Sequence, residues 1–186
     1  MTGATLYNAD LSGATFKNSN FTDVSSGALA SYTSVTLPSN NYSFYNGYIV
    51  GPDVFLRTAD LSNINFTNYN LSGADLSGAN LTNDVLTGAN VAYTDFTNVT
   101  FTNARTGPVT GGGTATYSPN YHITTNGYIV GPRVNLTGIT LNTQNFTGYD
   151  LTSAKFTSSN FSGTTLTNTD LSGTDLSGVT LTNVVT

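Results

Sequence analysis

A large apolar residue recurs every five positions through most of this chain of 186 residues. The stretch Leu71-Ser-Gly-Ala-Asp-Leu76-Ser-Gly-Ala-Asn-Leu81 shows the frame. A small residue lies two before each apolar centre, Asp or Asn one before, and Ser or Thr one after. The centres are Leu6, Leu11, Phe16 and Phe21, then ten from Leu56 to Phe101, then ten from Leu136 to Leu181. A period of five fits neither the helical repeat of 3.6 nor the strand repeat of 2. A fixed repeat outside those two marks stacked units that bury their apolar face only against one another. Ser-Gly or Thr-Asn follows 12 of the 24 centres, and Gly and Asn tolerate the left-handed backbone of a tight corner. Each pentapeptide therefore reads as a short extended piece plus a corner, with one large side chain directed to a common axis.

The frame resembles the consensus of the pentapeptide-repeat family, A-(D/N)-L-x-x. The resemblance implies an all-β fold: a right-handed quadrilateral β-helix with four pentapeptides per coil, large residues inward, and small residues tucked in two before them. Six residues at small positions depart from the consensus: Ile64, Tyr69, Asp84, Ile139, Gln144 and Tyr149. Each is too large to tuck in, so local widening of the coil or an outward rotation is expected there.

Two stretches interrupt the period. Residues 1–25 form a partial solenoid segment, and residues 26–53 an insert. There Tyr42-Ser-Phe-Tyr45 and Tyr48-Ile-Val50 flank Asn46-Gly47, the signal for a hairpin with a two-residue type I′ turn. Residues 54–105 carry ten pentapeptides. Residues 106–132 form a second insert with a hairpin at Asn126-Gly127, and residues 133–186 carry ten more pentapeptides. The heptapeptide Asn-Gly-Tyr-Ile-Val-Gly-Pro stands at 46–52 and again at 126–132, so a module of 80 residues is superposed on the period of five. An insert kept in the wall would place Ser26, Ser31, Thr36, Asn41, Asn46 and Gly51 at core positions they cannot fill. The favoured expectation is that each insert loops out, with successive hairpins on opposite sides of the shaft.

The chemistry on offer is thin. The chain has no Cys, no Glu and a single His, so no nucleophile–base pair assembles and no catalytic, cofactor-binding or metal-binding residues are assigned. His122 falls 80 residues after Tyr42 and reads as a packed or solvated side chain. Gly111-Gly112-Gly113 lacks the Lys-Ser/Thr of a phosphate loop. A coil of 20 residues would stack Asp75 under Asp95, Asp150 under Asp170 and Lys155 over Asp175, and solvated carboxylates are expected there. The many Asn-x-Ser/Thr sequons follow from the repeat itself. Five basic residues without a cluster argue against nucleic acid. No run of 18 apolar residues argues for membrane insertion, and the first residues show no signal-peptide pattern. Localisation is left open, with the Thr/Asn/Ser/Gly-rich composition pointing to an extracellular or virion surface.

Neither end of the sequence shows a polar cap. An uncapped coil exposes strand edges and core, so Leu6 and Leu11 at one end and Leu176 and Leu181 at the other are candidate end-to-end stacking residues. The expected function is structural: a filament, fibre or rod built by head-to-tail self-assembly, the chain its own partner, with hairpins decorating or locking the shaft. The alternative is a binding module that presents Tyr42, Phe44, Tyr45, Tyr48, Tyr121, His122 and Tyr128 on the hairpins. The family resemblance adds a third reading, a DNA mimic of the gyrase-binding type, which the net charge of −5 serves poorly.

Overall fold

Position i of one coil bonds to position i+20 of the next throughout the regular part of the chain. The computed structural model describes residues 1–186. Phe55, Asp75 and Asp95 stack in parallel on one face; Asp60, Asn80 and Thr100 on the next. Asn65, Val85 and Arg105 form the third face, and Asn70, Asn90 and Thr110 the fourth. Five residues to a side and four sides to a coil give a four-sided β-helix. Its regular strands are short: β1 (Val24–Ser25), β2 (Ser43–Tyr45), β3 (Tyr48–Val50), β4 (Val54–Phe55), β5 (Asp95–Phe96), β6 (Thr116–Tyr117), β7 (His122–Ile123) and β8 (Ile129–Val130). There is no α-helix, and one 3-10 turn spans Gly112–Thr114.

Each element of the sequence frame has a local cause. The second residue after a centre turns the corner in the left-handed region, as at Asn63 (φ 63), Gly73 (φ 68), Asn83 (φ 64) and Gly88 (φ 74). The Asp or Asn before each centre accepts the N–H of the residue after it. Asp75 Oδ1 accepts Ser77 N at 3.0 Å, Asn80 Oδ1 accepts Thr82 N at 3.1 Å, and Asp150 Oδ1 accepts Thr152 N at 2.9 Å. The preference for Asp or Asn there is a hydrogen-bonding requirement of the turn. Inside, Leu61, Leu71, Leu81, Phe101, Phe156 and Phe161 are fully buried, with Ala59, Ala74, Ala79 and Ala89 between them.

The inserts correct the looped-out expectation. Ser31 bridges Asp10, Thr36 bridges Thr15, Thr110 bridges Asn90, and β6 pairs in parallel with β5. The first half of each insert is therefore wall. One corner gains a residue, with steps of six from Ser25 to Ser31 and from Thr110 to Thr116. That extra residue moves the core positions from Thr36 to Leu37 and from Thr116 to Tyr117. Strict counting in fives misses the shift. The second half of each insert is a hairpin clamped between coils. Ile49, Val50, Ile129 and Val130 are fully buried. Gly47 O accepts Leu29 N at 2.9 Å, and the Asn46 side-chain amide donates to the carbonyl of Asp60 at 3.1 Å. The second copy repeats both contacts with Val109 N at 2.8 Å and Thr140 O at 2.8 Å.

Behind each hairpin the coils meet directly. β1 pairs with β4 (Val24↔Val54), and Asn135 N bonds Ala104 O at 2.8 Å, which sets Asn135 over Arg105. Phe55 thus lies on the first face and Asn135 on the third, so the modules are related by a half-turn and the hairpins do lie on opposite sides.

The hairpins differ in their turns. Tyr45 pairs with Tyr48 across Asn46 (φ 48) and Gly47 (φ 83), the two left-handed residues of a type I′ turn. In the second, Ile123 pairs with Ile129, leaving a five-residue loop from Thr124 to Tyr128.

One close approach tests the seating of both hairpins. A Cβ on Gly51 would sit 2.3 Å from the Tyr42 ring and 2.8 Å from Asn41 O, and one on Gly131 would sit 2.3 Å from the Tyr121 ring and 2.8 Å from Asn120 O. Gly51→Ala or Gly131→Ala must therefore displace a packed ring, at a cost of about 1–3 kcal/mol. Urea unfolding should show a lower midpoint for each variant; midpoints equal to wild type would mean that the rings are not held there.

Candidate interaction surfaces of the solenoid

The hairpin aromatics are packed on their own shaft. Tyr42 lies edge-on to Phe21 at 5.2 Å, Phe44 stacks on Tyr32 at 4.6 Å, and Tyr45 lies edge-on to Phe66 at 5.3 Å. Tyr121 meets Phe101 at 5.2 Å and donates its hydroxyl to Pro132 O at 3.2 Å. Tyr48 and Tyr128 are half-buried against the core. Burial raises the pKa of Tyr42 and of Tyr121. Tyr117, outside the hairpins, stacks on Phe96 at 5.7 Å. These rings are partly buried against the shaft.

The oversized residues at small positions gather mainly where the hairpins press. Tyr69 donates its hydroxyl to Val50 O at 2.9 Å, and burial pushes its pKa up to about 12. Gln144 accepts from Thr125 N at 3.3 Å and donates to Thr125 Oγ1 at 3.0 Å. Tyr149 stacks on His122 at 3.8 Å. A hairpin replaces part of the coil below these positions, so a larger side chain fills the wider gap. Asp84 is different, because it lies between two regular coils and is fully buried.

The displacement of 80 misassigns His122. Tyr121 takes the place of Tyr42, since both rings lie over the paired glycine and at 5.2 Å from a Phe. His122 pairs with Val130 as Ser43 pairs with Val50, so Ser43 is its counterpart. The longer loop of the second hairpin causes the slip.

The stacked charges are where the spacing puts them, with bridges Asp75↔Asp95, Asp150↔Asp170 and Lys155↔Asp175. Each aspartate also accepts from its own turn, which holds Asp170 below the ordinary carboxylate range through the hydrogen bonds of Ser172. Arg57 pairs with Asp75. No three His, Cys, Asp or Glu side chains converge as metal ligands would. Two concavities flank the hairpins. One, of about 940 Å³, lies between Lys17, Leu37 and Phe44; the other, of about 380 Å³, lies between Tyr121, Arg133 and Asp150. Neither brings a nucleophile to a base. No helix is long and apolar enough to cross a membrane.

The predicted stacking residues differ by end. Leu6 and Leu11 are buried, Leu176 is half-buried, and Leu181 is 51% exposed, with Val185 at 55%. Sequence reasoning also passed over Tyr7 and Tyr93, each 74% exposed. Tyr93 holds a left-handed corner (φ 60) where the repeat prefers Gly or Asn, and that mismatch was its signal.

A family model described as pentapeptide repeats matches in eight copies, over residues 1–25, 56–83 and 145–183. The chain belongs to the pentapeptide-repeat family. Pentapeptide-repeat proteins are structural or binding proteins, without enzymatic activity. Among solved structures, a pentapeptide repeat protein from the cyanobacterium Cyanothece is 20% identical at a TM-score of 0.30, covering 70% of this chain and 86% of its own. HetL, a pentapeptide repeat protein involved in heterocyst differentiation regulation from the cyanobacterium Nostoc, is 17% identical at 0.25, covering 100% and 88%. QnrB1, a plasmid-mediated fluoroquinolone resistance protein, is 17% identical at 0.27, covering 99% and 83%. At these identities and scores the likenesses carry no functional argument. No curated protein sequence matches the chain.

His122 gives the second hairpin a pH dependence. Burial lowers its pKa from 6.5, so the stack on Tyr149 holds the neutral ring. A depressed folded-state value means that stability is complete above pH 6.5 and falls as acid protonates the ring. Between pH 7 and pH 5 the melting temperature of wild type should fall relative to that of His122→Asn. Melting temperatures that change in parallel in the two proteins would show that the imidazole is uninvolved.

Proposed function

We propose that this pentapeptide-repeat chain is a structural protein, a β-solenoid shaft that lengthens by end-to-end stacking of copies. The observation that carries the reading is the apolar exposure across the coil at residues 166–185. Phe156 and Phe161, one coil inward, are fully buried, whereas Leu166, Leu171 and Leu176 are only half-buried and Leu181 stands half-exposed. Apolar centres left partly bare in one coil favour the addition of another coil. The coil at residues 1–20 has Thr5, Asp10 and Thr15 at its bridging positions, with Leu6 and Leu11 buried beneath. A coil added there is a heterologous contact and repeats without closing.

In this reading the hairpins lock the shaft from within. Their aromatics pack on their own coils, which supports a locking role ahead of partner recognition.

Electron microscopy of the full chain across a concentration series tests the proposal. The expected result is rods one solenoid wide that lengthen with concentration, and Leu181→Asp should shorten them by placing a charge in the joint. Single short particles at every concentration would overturn it.

A further inference from the structure

The small position two before each centre forms a column in which side-chain hydroxyls reach down to the coil below. Thr94 Oγ1 donates to Leu71 O at 2.8 Å, Thr164 to Leu141 O at 2.9 Å, and Ser159 to Leu136 O at 2.7 Å. In each case the acceptor lies 23 residues earlier. Ser159 does more: its Oγ also accepts Ile139 N at 3.2 Å, so the hydroxyl takes the place of the usual corner bond from residue i to i−3.

Asp84 occupies this column, and the residue 23 earlier is Leu61. The corner bond from Ile64 N to Leu61 O is missing, although Ala59, Tyr69, Ala74 and Ala79 all make theirs. Ile64 N donates instead to Asp84 Oδ1 at 2.8 Å. Two acceptors then remain without a donor in a fully buried place: Asp84 Oδ2 and the Leu61 carbonyl. Two buried oxygens without a donor are costly, and one proton between them would satisfy both.

We propose that Asp84 is held as the neutral acid, its Oδ2–H donated to the Leu61 carbonyl, making a clasp between two coils that acid closes and base opens. The protonated carboxyl then does what Ser159 does, accepting from the backbone N–H and donating to the carbonyl. Ionisation releases the proton to solvent and leaves a buried carboxylate facing the Leu61 carbonyl. The charged groups on the adjacent coils do not rescue it. Asp60, on the coil below, opposes a second negative charge, and Arg105, on the coil above, is exposed on the outer wall with no bond to the carboxyl.

Burial, with Asp60 adding to it, pushes the Asp84 carboxyl up to about 7 from 3.8. The folded chain thus holds a proton that the unfolded chain has lost, so stability falls as pH rises from 3.8 to about 7 and is level above. The other shifted aspartates are lowered and are ionised across that upper range. His122 has the opposite slope and is common to wild type and variant.

Asp84→Asn tests the clasp, because its amide accepts from Ile64 N and donates to Leu61 O without a titrating proton. Infrared difference spectra of wild type between pH 5 and pH 8 should show a protonated-carboxyl band that disappears at the higher pH and is missing from Asp84→Asn. The melting temperature of wild type should fall by several degrees relative to Asp84→Asn over the same range. Asp84→Thr, which copies Thr94 and Thr164, provides the comparison if the Asn variant does not fold. A wild-type spectrum without the band at pH 5, or melting curves of wild type and folded variant that run parallel with pH, would overturn the proposal.

Discussion

Backbone hydrogen bonding between successive coils is the constraint on which the rest of this structure depends. Of 98 backbone–backbone bonds, only eight lie within the regular strands and helix, so the fold is held rung by rung and corner by corner. A rung forms only if the next coil returns after one full circuit with the same residue facing out. The period of five, the left-handed corners and the Asp or Asn that accepts the corner N–H all keep that phase. Apolar burial then follows from it, because the residue after each rung always points inward. Burying a Leu or Phe side chain contributes about 1.5–3 kcal/mol, and the column of buried centres gives a stack whose stability accumulates coil by coil.

The inserts show how such a stack accepts irregular chain without losing phase. Each hairpin forms an added layer on one side of the shaft while the coils remain bonded on the other, through Val24–Val54 in one module and Ala104–Asn135 in the next. The half-turn between modules puts the second layer on the side opposite the first. Core continuity is kept by Ile49, Val50, Ile129 and Val130, which supply the buried side chains that a regular coil would have supplied.

Much of this was legible in the sequence, because a repeat states its own geometry many times. The corners of each pentapeptide and the type I′ turn at Asn46-Gly47 follow from spacing and turn chemistry, while the four-sided coil, and with it the stacking of Asp75 on Asp95 and of Lys155 on Asp175, is what the family resemblance implies. What spacing could not give was a change of phase. One added corner residue turned Leu37 and Tyr117 inward, and a longer second turn moved the counterpart of Tyr42 from residue 122 to Tyr121. Insertions of one residue are silent in composition and visible only through pairing. The direction of the hairpins was equally hidden, since Tyr-rich strands suit a presented surface and a packed one alike. Residues that broke the small-position rule were the better signal, because Tyr69, Gln144 and Tyr149 mark the coils on which hairpins rest.

The departures that no hairpin explains are chemical. A regular wall position is satisfied by a group that is neutral at every ordinary pH, such as the hydroxyls of Thr94, Ser159 and Thr164. His122 and Asp84 each put a titrating group where the other copy of the module has a hydroxyl, Ser43 in one case and Thr164 in the other. Both are favoured neutral by burial, but neutrality means losing a proton for the imidazole and keeping one for the carboxyl. Acid therefore loosens the second hairpin while it tightens the regular coils of the first module, and base does the reverse. A solenoid built of nearly identical rungs thus carries two opposed titrations above the ordinary carboxylate range, at places where the two modules have ceased to be copies.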